Sequence, residues 1–314
     1  MTARRANIGG VTTLGDTLSA SVLTWYEGAA RDLPWRRPDT TPWGILVSEV
    51  MLQQTPAVRV IPSYQAWLAR WPTPAALTGD TPGDAVRMWG RLGYPRRALR
   101  LYETAAMIAC RHGGKVPADL DDLLALPGVG PYTARAVAVF AYGRRHAVVD
   151  TNVRRVATRA IRGVARAGSP TGDLALVEPL VPSVPATAAH FAAALMELGA
   201  LVCTARTPRC TECPFAGICA WRQAGYPEPL APSRRAQAYE GTDRQVRGLL
   251  LDVLRATHEP VITNKLDALW ADTAQRARAL DTLVTDGLVH RLPDGTYALG
   301  SDGAGRVISN MKQP

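Results

Sequence analysis

The chain has 314 residues, 47% of them hydrophobic and 20% charged, which is enough for one large domain or two ordinary ones with a proper core and too apolar for disorder. Its 36 Lys and Arg against 27 Asp and Glu leave a net charge of +9. That excess suits a polyanionic partner, although many mildly basic proteins have none. No apolar run approaches the roughly 18 residues of a membrane span, and "MTARRANIGGVTTLGD" lacks the apolar stretch of a signal peptide. A cytoplasmic protein away from membranes is expected, nucleoid-associated if bacterial.

Residues 16–224 read as helical nearly throughout. Apolar residues recur at helical spacing in "WGILVSEVMLQQ" (43–54), "SYQAWLARW" (63–71), "ALRLYETAAMIACRH" (98–112) and "PYTARAVAVFAYG" (131–143), with Gly and Pro at the joins. An all-α fold is expected here. Residues 225–241, "GYPEPLAPSRRAQAYEG", read as a linker. Beyond it, "DRQVRGLLLDVLRAT", "TNKLDALW" and "TAQRARALDTLVTDG" form three helices, and "LVHRLPDGTYALG" alternates about an Asp-Gly turn as a β-hairpin. Three helices and a hairpin over 242–300 make a winged-helix-like α+β domain, with 273–287 as its candidate recognition helix and 301–314 as a loose tail.

Several stretches carry chemistry. Glu49 is flanked by Val47, Val50, Met51 and Leu52. A carboxyl against an apolar wall is expected to stay protonated near neutrality and serve as a general acid, unless Glu49 lies on the wet face of an amphipathic helix. "LPGVGP" (126–131) places Gly128 and Gly130 just before a helix that starts at Pro131. Its amides and dipole make an anion site, plausible for a DNA phosphate, or else a plain helix–helix turn. Asp150 in "HAVVDTNVRRV" stands before a basic helix, which it or its neighbours would cap. Clustered arginines (Arg96, Arg97 and Arg100; Arg144 and Arg145; Arg154, Arg155, Arg159 and Arg162) lie beside these motifs.

Four of the five cysteines, Cys203, Cys210, Cys213 and Cys219, fall within "CTARTPRCTECPFAGIC" as C-x6-C-x2-C-x5-C. Without an export signal a disulfide framework is not expected. Only one C-x2-C pair is present, so the spacing suits a [4Fe-4S] cluster better than zinc. Cys110 reads as an ordinary core cysteine.

The ordered set of helix, Gly turn, helix, downstream Asp150 and cysteine loop resembles the helix-hairpin-helix DNA glycosylases. "VSEVMLQQT", "LGY" and "LPGVGPYTA" resemble in particular the adenine glycosylases of the MutY type, over about residues 20–225. The resemblance implies a glycosylase core over 1–224, with a six-helix part at about 38–145 and a cluster part made of the N-terminal helix and 146–224. It implies removal of adenine opposite 8-oxoguanine or guanine in double-stranded DNA by a monomer. Glu49 would protonate adenine N7 and later direct water, and Asp150 would stabilise the charge developing on the deoxyribose.

The resemblance also assigns the surroundings. Relatives that cleave the backbone carry a lysine where Tyr132 stands, and lysines occur only at Lys115, Lys265 and Lys312. A glycosylase without Schiff-base lyase activity is therefore expected, with Tyr132 holding Asp150 or the sugar. Gln54 and Thr55 would meet the lesion strand, and Leu92 and Tyr94 would wedge into the duplex. Leu33, Trp35 and Arg36 would wall the adenine pocket, and Arg206 and Arg209 of the cysteine loop would meet phosphates. Two departures stand out: Ala193 occupies a position where relatives often place Gln or Glu, and residues 242–300 are too short for a Nudix-like domain. Alternatives are a thymine-mismatch or oxidised-pyrimidine glycosylase, or a non-catalytic iron–sulfur regulator. A regulator would need neither Glu49 nor Asp150.

Overall fold

The computed structural model describes residues 14–165, 168–228 and 239–300. Most of the expected linker (229–238) and the tail (301–314) lie outside the described residues. The chain forms two compact units, one containing residues up to Asp32 and from Ala138 to Pro232, the other Leu33–Val137 and the C-terminal module.

The first unit contains α1 (Leu14–Ala29), α9 (Thr151–Ala157), α10 (Pro170–Val177), α11 (Pro185–Leu201) and α12 (Ala220–Gln223). A single π-type turn, Thr158–Arg162, prolongs α9. The core gathers Leu18 and Val22 of α1, Val153, Val156 and Ala157 of α9, Phe191, Leu195 and Leu198 of α11, and Phe215 of the cysteine loop. Helix α11 approaches α9 closely because residue 199 is glycine. A Cβ there would lie 2.6 Å from the Asn152 Cβ and 2.9 Å from its carbonyl oxygen.

The second unit contains α2 (Pro42–Leu52), α3 (Ala57–Arg70), α4 (Pro74–Thr78), α5 (Pro82–Trp89), α6 (Arg96–Arg111) and α7 (Leu120–Leu124). Helix α8 (Pro131–Tyr142) begins here and carries the chain onward. Thr41 caps α2 through the Gly44 amide, and Thr81 and Asp84 form a reciprocal capping box on α5. Trp67 is fully buried with Trp71 and Trp89 edge-on at 4.6 and 5.9 Å between ring centroids.

The C-terminal module is α13 (Asp243–Arg255), α14 (Thr263–Asp267), α15 (Thr273–Thr285) and a hairpin of β1 (Val289–Arg291) and β2 (Tyr297–Leu299). The strands pair antiparallel with Val289 opposite Leu299. The turn uses Gly295 at φ +83°, the conformation the Asp-Gly pair provides for. The module packs against α5 rather than standing apart. Arg87 donates to the Thr257 and Arg255 carbonyls at 2.8 and 3.3 Å, and Arg255 donates back to the Val86 carbonyl at 3.2 Å. A side chain at Gly83 would collide with the Leu299 carbonyl oxygen at 2.7 Å.

One sequence expectation requires correction. Cys110 is exposed, because it lies in the last turn of α6 rather than on the buried stripe of Ala98, Leu101, Ala105 and Ile108. Several of the clustered arginines are turned inward. Arg154 is bound to buried Asp173 at 2.7 Å, Arg159 is 5% exposed, and Arg97 and Arg155 donate to backbone carbonyls. Part of the basic surplus is internal scaffolding.

Candidate active site and cysteine centre

Helix α2 is buried on every side from Trp43 to Met51, as a helix apolar all round must be, and Glu49 is only 6% exposed. The wet-face alternative is thereby excluded.

The turn after α2 and the turn before α6 lie within the same unit. Gln54 and Tyr94 both adopt left-handed backbone conformations, φ +56° and +49°, and both are exposed, Tyr94 at 57%. Thr55 and Leu92 are buried, and the Thr55 hydroxyl donates to the Leu92 carbonyl at 3.3 Å. Of the two expected wedge residues, Tyr94 is exposed and Leu92 is buried. Leu33 and Trp35 are buried at 5% and 7%, Trp35 stands edge-on to Tyr64 at 5.5 Å, and Arg36 is half-buried.

The glycine turn forms as expected. Gly128 has φ +75°, and a Cβ there would lie 2.8 Å from the Arg100 Cβ. Space beside Gly130 is open to 4 Å, so a phosphate can approach the backbone at the start of α8. Tyr132 is half-buried in the first turn of that helix.

Asp150 caps α9. One oxygen accepts from the Val153 amide at 2.7 Å and the other from the Asn152 side-chain amide at 2.8 Å. Burial pushes this carboxyl above its ordinary range, while those hydrogen bonds and the Arg155 charge pull the other way. Arg155 extends the network: it donates to the Asn152 side chain (2.7 Å), the Gly199 carbonyl (2.7 Å) and the Cys203 carbonyl (2.6 Å). The capping carboxylate is thus linked through Asn152 and Arg155 to the carbonyl of the first cysteine.

Cys203, Cys210, Cys213 and Cys219 line one cavity of about 310 Å³, including space open to solvent, together with Arg159 and Trp221. None of the four forms a disulfide. Burial pushes Cys203 up and Cys213 up to about 11. The Arg159 guanidinium donates to the Cys203 sulfur at 3.5 Å and stacks 4.4 Å over Trp221. Among the described residues no three His, Cys, Asp or Glu side chains are drawn onto a single ion. Four thiols spread around a shared cavity, with a cationic donor beside one of them, fit an iron–sulfur cluster. Arg206 and Arg209 are exposed on the same loop, with Arg209 paired to Glu212 at 3.0 Å.

Ala193 is half-buried on α11. One turn on, Glu197 is fully buried and receives the Arg31 guanidinium at 2.6 and 2.9 Å and the Arg31 amide at 3.1 Å. This pair fixes the segment leading into Leu33. Its signal in the sequence was a lone carboxylate inside the apolar run "AALMELGALV".

Residues 47–167 match the model of the HhH-GPD superfamily base excision DNA repair proteins, and residues 203–219 match the iron–sulfur binding domain of endonuclease III. The adenine DNA glycosylase of Mycobacterium tuberculosis is 58% identical over 90% of this chain and 93% of its own length. That of Mycolicibacterium smegmatis is 56% identical over 90% and 96%. The solved structure of a thermostable thymine-DNA glycosylase superposes with a TM-score of 0.61 at 28% identity, covering 67% of this chain and 97% of that one. Buried carboxyl, capped aspartate, open glycine turn and four-thiol cavity are thus carried by a sequence that belongs to the adenine DNA glycosylases, iron–sulfur base excision repair enzymes of the helix-hairpin-helix superfamily.

Proposed function

We propose that this enzyme excises adenine mispaired with 8-oxoguanine or guanine and, as a monomer, leaves an intact abasic strand. The observation that carries the reading is Glu49, a carboxyl 6% exposed within an otherwise apolar helix. Adenine leaves readily only when a ring nitrogen is protonated, and a buried carboxyl keeps the proton it must deliver. Glu49 donates that proton to N7 of the flipped base and, once ionised, orients water toward the sugar. Asp150, its charge supported by the Val153 and Asn152 amides, stabilises the cationic sugar. Tyr132 at the start of α8 supplies no amine, so the abasic product is released without a Schiff base.

The surrounding residues bind and orient. The amides of the Gly128–Gly130 turn hold a backbone phosphate. Gln54 and Tyr94 probe the mispair, with Thr55 and Leu92 buried in the turns that carry them, and Leu33, Trp35 and Arg36 enclose adenine. Cys203, Cys210, Cys213 and Cys219 hold the [4Fe-4S] cluster, which when bound cross-links the loop bearing Arg206 and Arg209 for phosphate contact. The glycosylase core, short linker and winged-helix-like module then divide catalysis from added contact with duplex DNA or a protein partner.

Single-turnover base release from A:8-oxoguanine, A:G, A:C and T:G duplexes, beside Glu49→Gln and borohydride trapping, tests this reading. Adenine release that Glu49→Gln lowers by about 10²–10⁴, with no trapped adduct, supports it. Thymine release, or full activity in the variant, defeats it.

A further inference from the structure

One side chain links the two strained turns. Gln54 and Tyr94 are two of the three non-glycine residues with positive φ among the described residues. L-residues rarely adopt that conformation, so surrounding structure must hold it. Nη1 of Arg97 donates to the carbonyl of Gln53 at 2.6 Å, and Nη2 to the carbonyl of Gly93 at 3.1 Å. These are the peptide carbonyls immediately before Gln54 and Tyr94. The same guanidinium reaches the Val50 and Met51 carbonyls at 2.8 and 3.1 Å, at the end of the helix that carries Glu49. It also donates to the Thr55 hydroxyl at 3.1 Å and faces the Trp89 and Tyr94 rings at 5.1 and 5.4 Å.

We propose that Arg97 is a positioning residue that latches Gln54 and Tyr94 in their duplex-facing conformations and ties both to the Glu49 helix. The inference rests on the reading of Gln54 and Tyr94 as residues that enter the duplex. Its chemistry is that of a planar fork binding several carbonyls at once. A lysine ammonium is a point charge and cannot reproduce that geometry. Carbonyls at the C-terminal end of α2 lack helix partners and carry partial negative charge, which a cation satisfies. Burial lowers the guanidinium only to about 10, so it remains charged at neutral pH.

Arg97→Lys and Arg97→Gln are compared with Gln54→Ala and Tyr94→Ala in the full-length, cluster-loaded enzyme. The measurements are single-turnover base release, duplex affinity and the fluorescence of a 2-aminopurine placed beside the mispair, which reports unstacking. Far-UV circular dichroism identifies any variant that fails to fold, and Arg97→Lys retains the charge if Arg97→Gln does fail. The expected result is base release about a hundredfold slower in Arg97→Lys, as misplacement of reacting groups produces. The unstacking signal should be lost, with affinity changed less than about threefold because phosphate contacts persist. Wild-type unstacking and rate in Arg97→Lys would overturn the latch. If Gln54→Ala and Tyr94→Ala lower the signal and Arg97→Lys does not, the latch alone fails. If those two variants leave unstacking unchanged, the duplex-facing reading fails and the latch with it.

Discussion

Replacing Asn152 by alanine tests which contacts favour the ionised Asp150 carboxylate. The folded structure sets burial, which raises its pKa above the ordinary 3.8, against four opposing influences: the Val153 amide, the Asn152 side-chain amide at 2.8 Å, the Asn152 backbone amide and the Arg155 charge. A hydrogen bond to a charged group contributes about 1.5–3 kcal/mol. At about 1.36 kcal/mol per pKa unit, losing it raises the Asp150 pKa by about one to two units. On the proposed role, in which ionised Asp150 stabilises a cationic sugar, the acid limb of the single-turnover base-release profile should move to higher pH by that amount. Below the shifted limb activity falls, and above it the plateau is unchanged. Asn152→Asp should move the limb further, because a like charge then faces Asp150.

Stability must change with the opposite preference for protons. The folded protein already holds the Asp150 proton more tightly than the unfolded chain does. This group therefore favours folding below pH 3.8, and that contribution is lost as pH rises through its folded pKa. Asn152→Ala widens this window upward. Denaturant midpoints measured across the same pH range should show the variant losing stability relative to wild type as pH rises. An acid limb that stays within about 0.3 unit of wild type would refute the reasoning, since it would mean that the Asn152 amide does not act on the charged form.

Further outcomes follow from the packing. Gly83→Val should cost about 1–3 kcal/mol by forcing α5 from the Leu299 carbonyl, read as a lower urea midpoint. Arg31→Met should destabilise by about 3–5 kcal/mol, because fully buried Glu197 loses its cationic partner. A thermal melt unchanged from wild type would contradict that. Cys213→Ser should abolish the cluster's visible absorbance and iron content and weaken binding to duplex DNA, while a variant that retains stoichiometric iron would remove Cys213 from the ligand set.

The chemistry of this protein was legible because it depends on residue types at fixed spacing. A C-x6-C-x2-C-x5-C loop, a Gly-x-Gly turn before a helix-starting proline and an Asp before a helix need only local backbone geometry, and each formed where the pattern placed it. The C-terminal hairpin likewise followed from an Asp-Gly pair between alternating residues. Periodicity could not decide whether Glu49 was wet or dry, because that depends on what surrounds α2, and the tertiary structure buried it.

The arginines illustrate the same division. As a sequence they form a basic excess, yet Arg97, Arg155 and Arg159 are turned inward to carbonyls and a thiol contributed by segments tens of residues away. Local pattern contains no record of such partners. Arg31 with Glu197, and Arg87 with Arg255, were hidden for the same reason. Their geometry arises only when helices distant in sequence pack and leave polar groups that must be satisfied away from water. The sequence by itself determined the family and what the cysteine loop holds. Only the tertiary structure decided which charges serve as scaffold and which stay exposed, because burial and hydrogen-bond partners are properties of the packed chain.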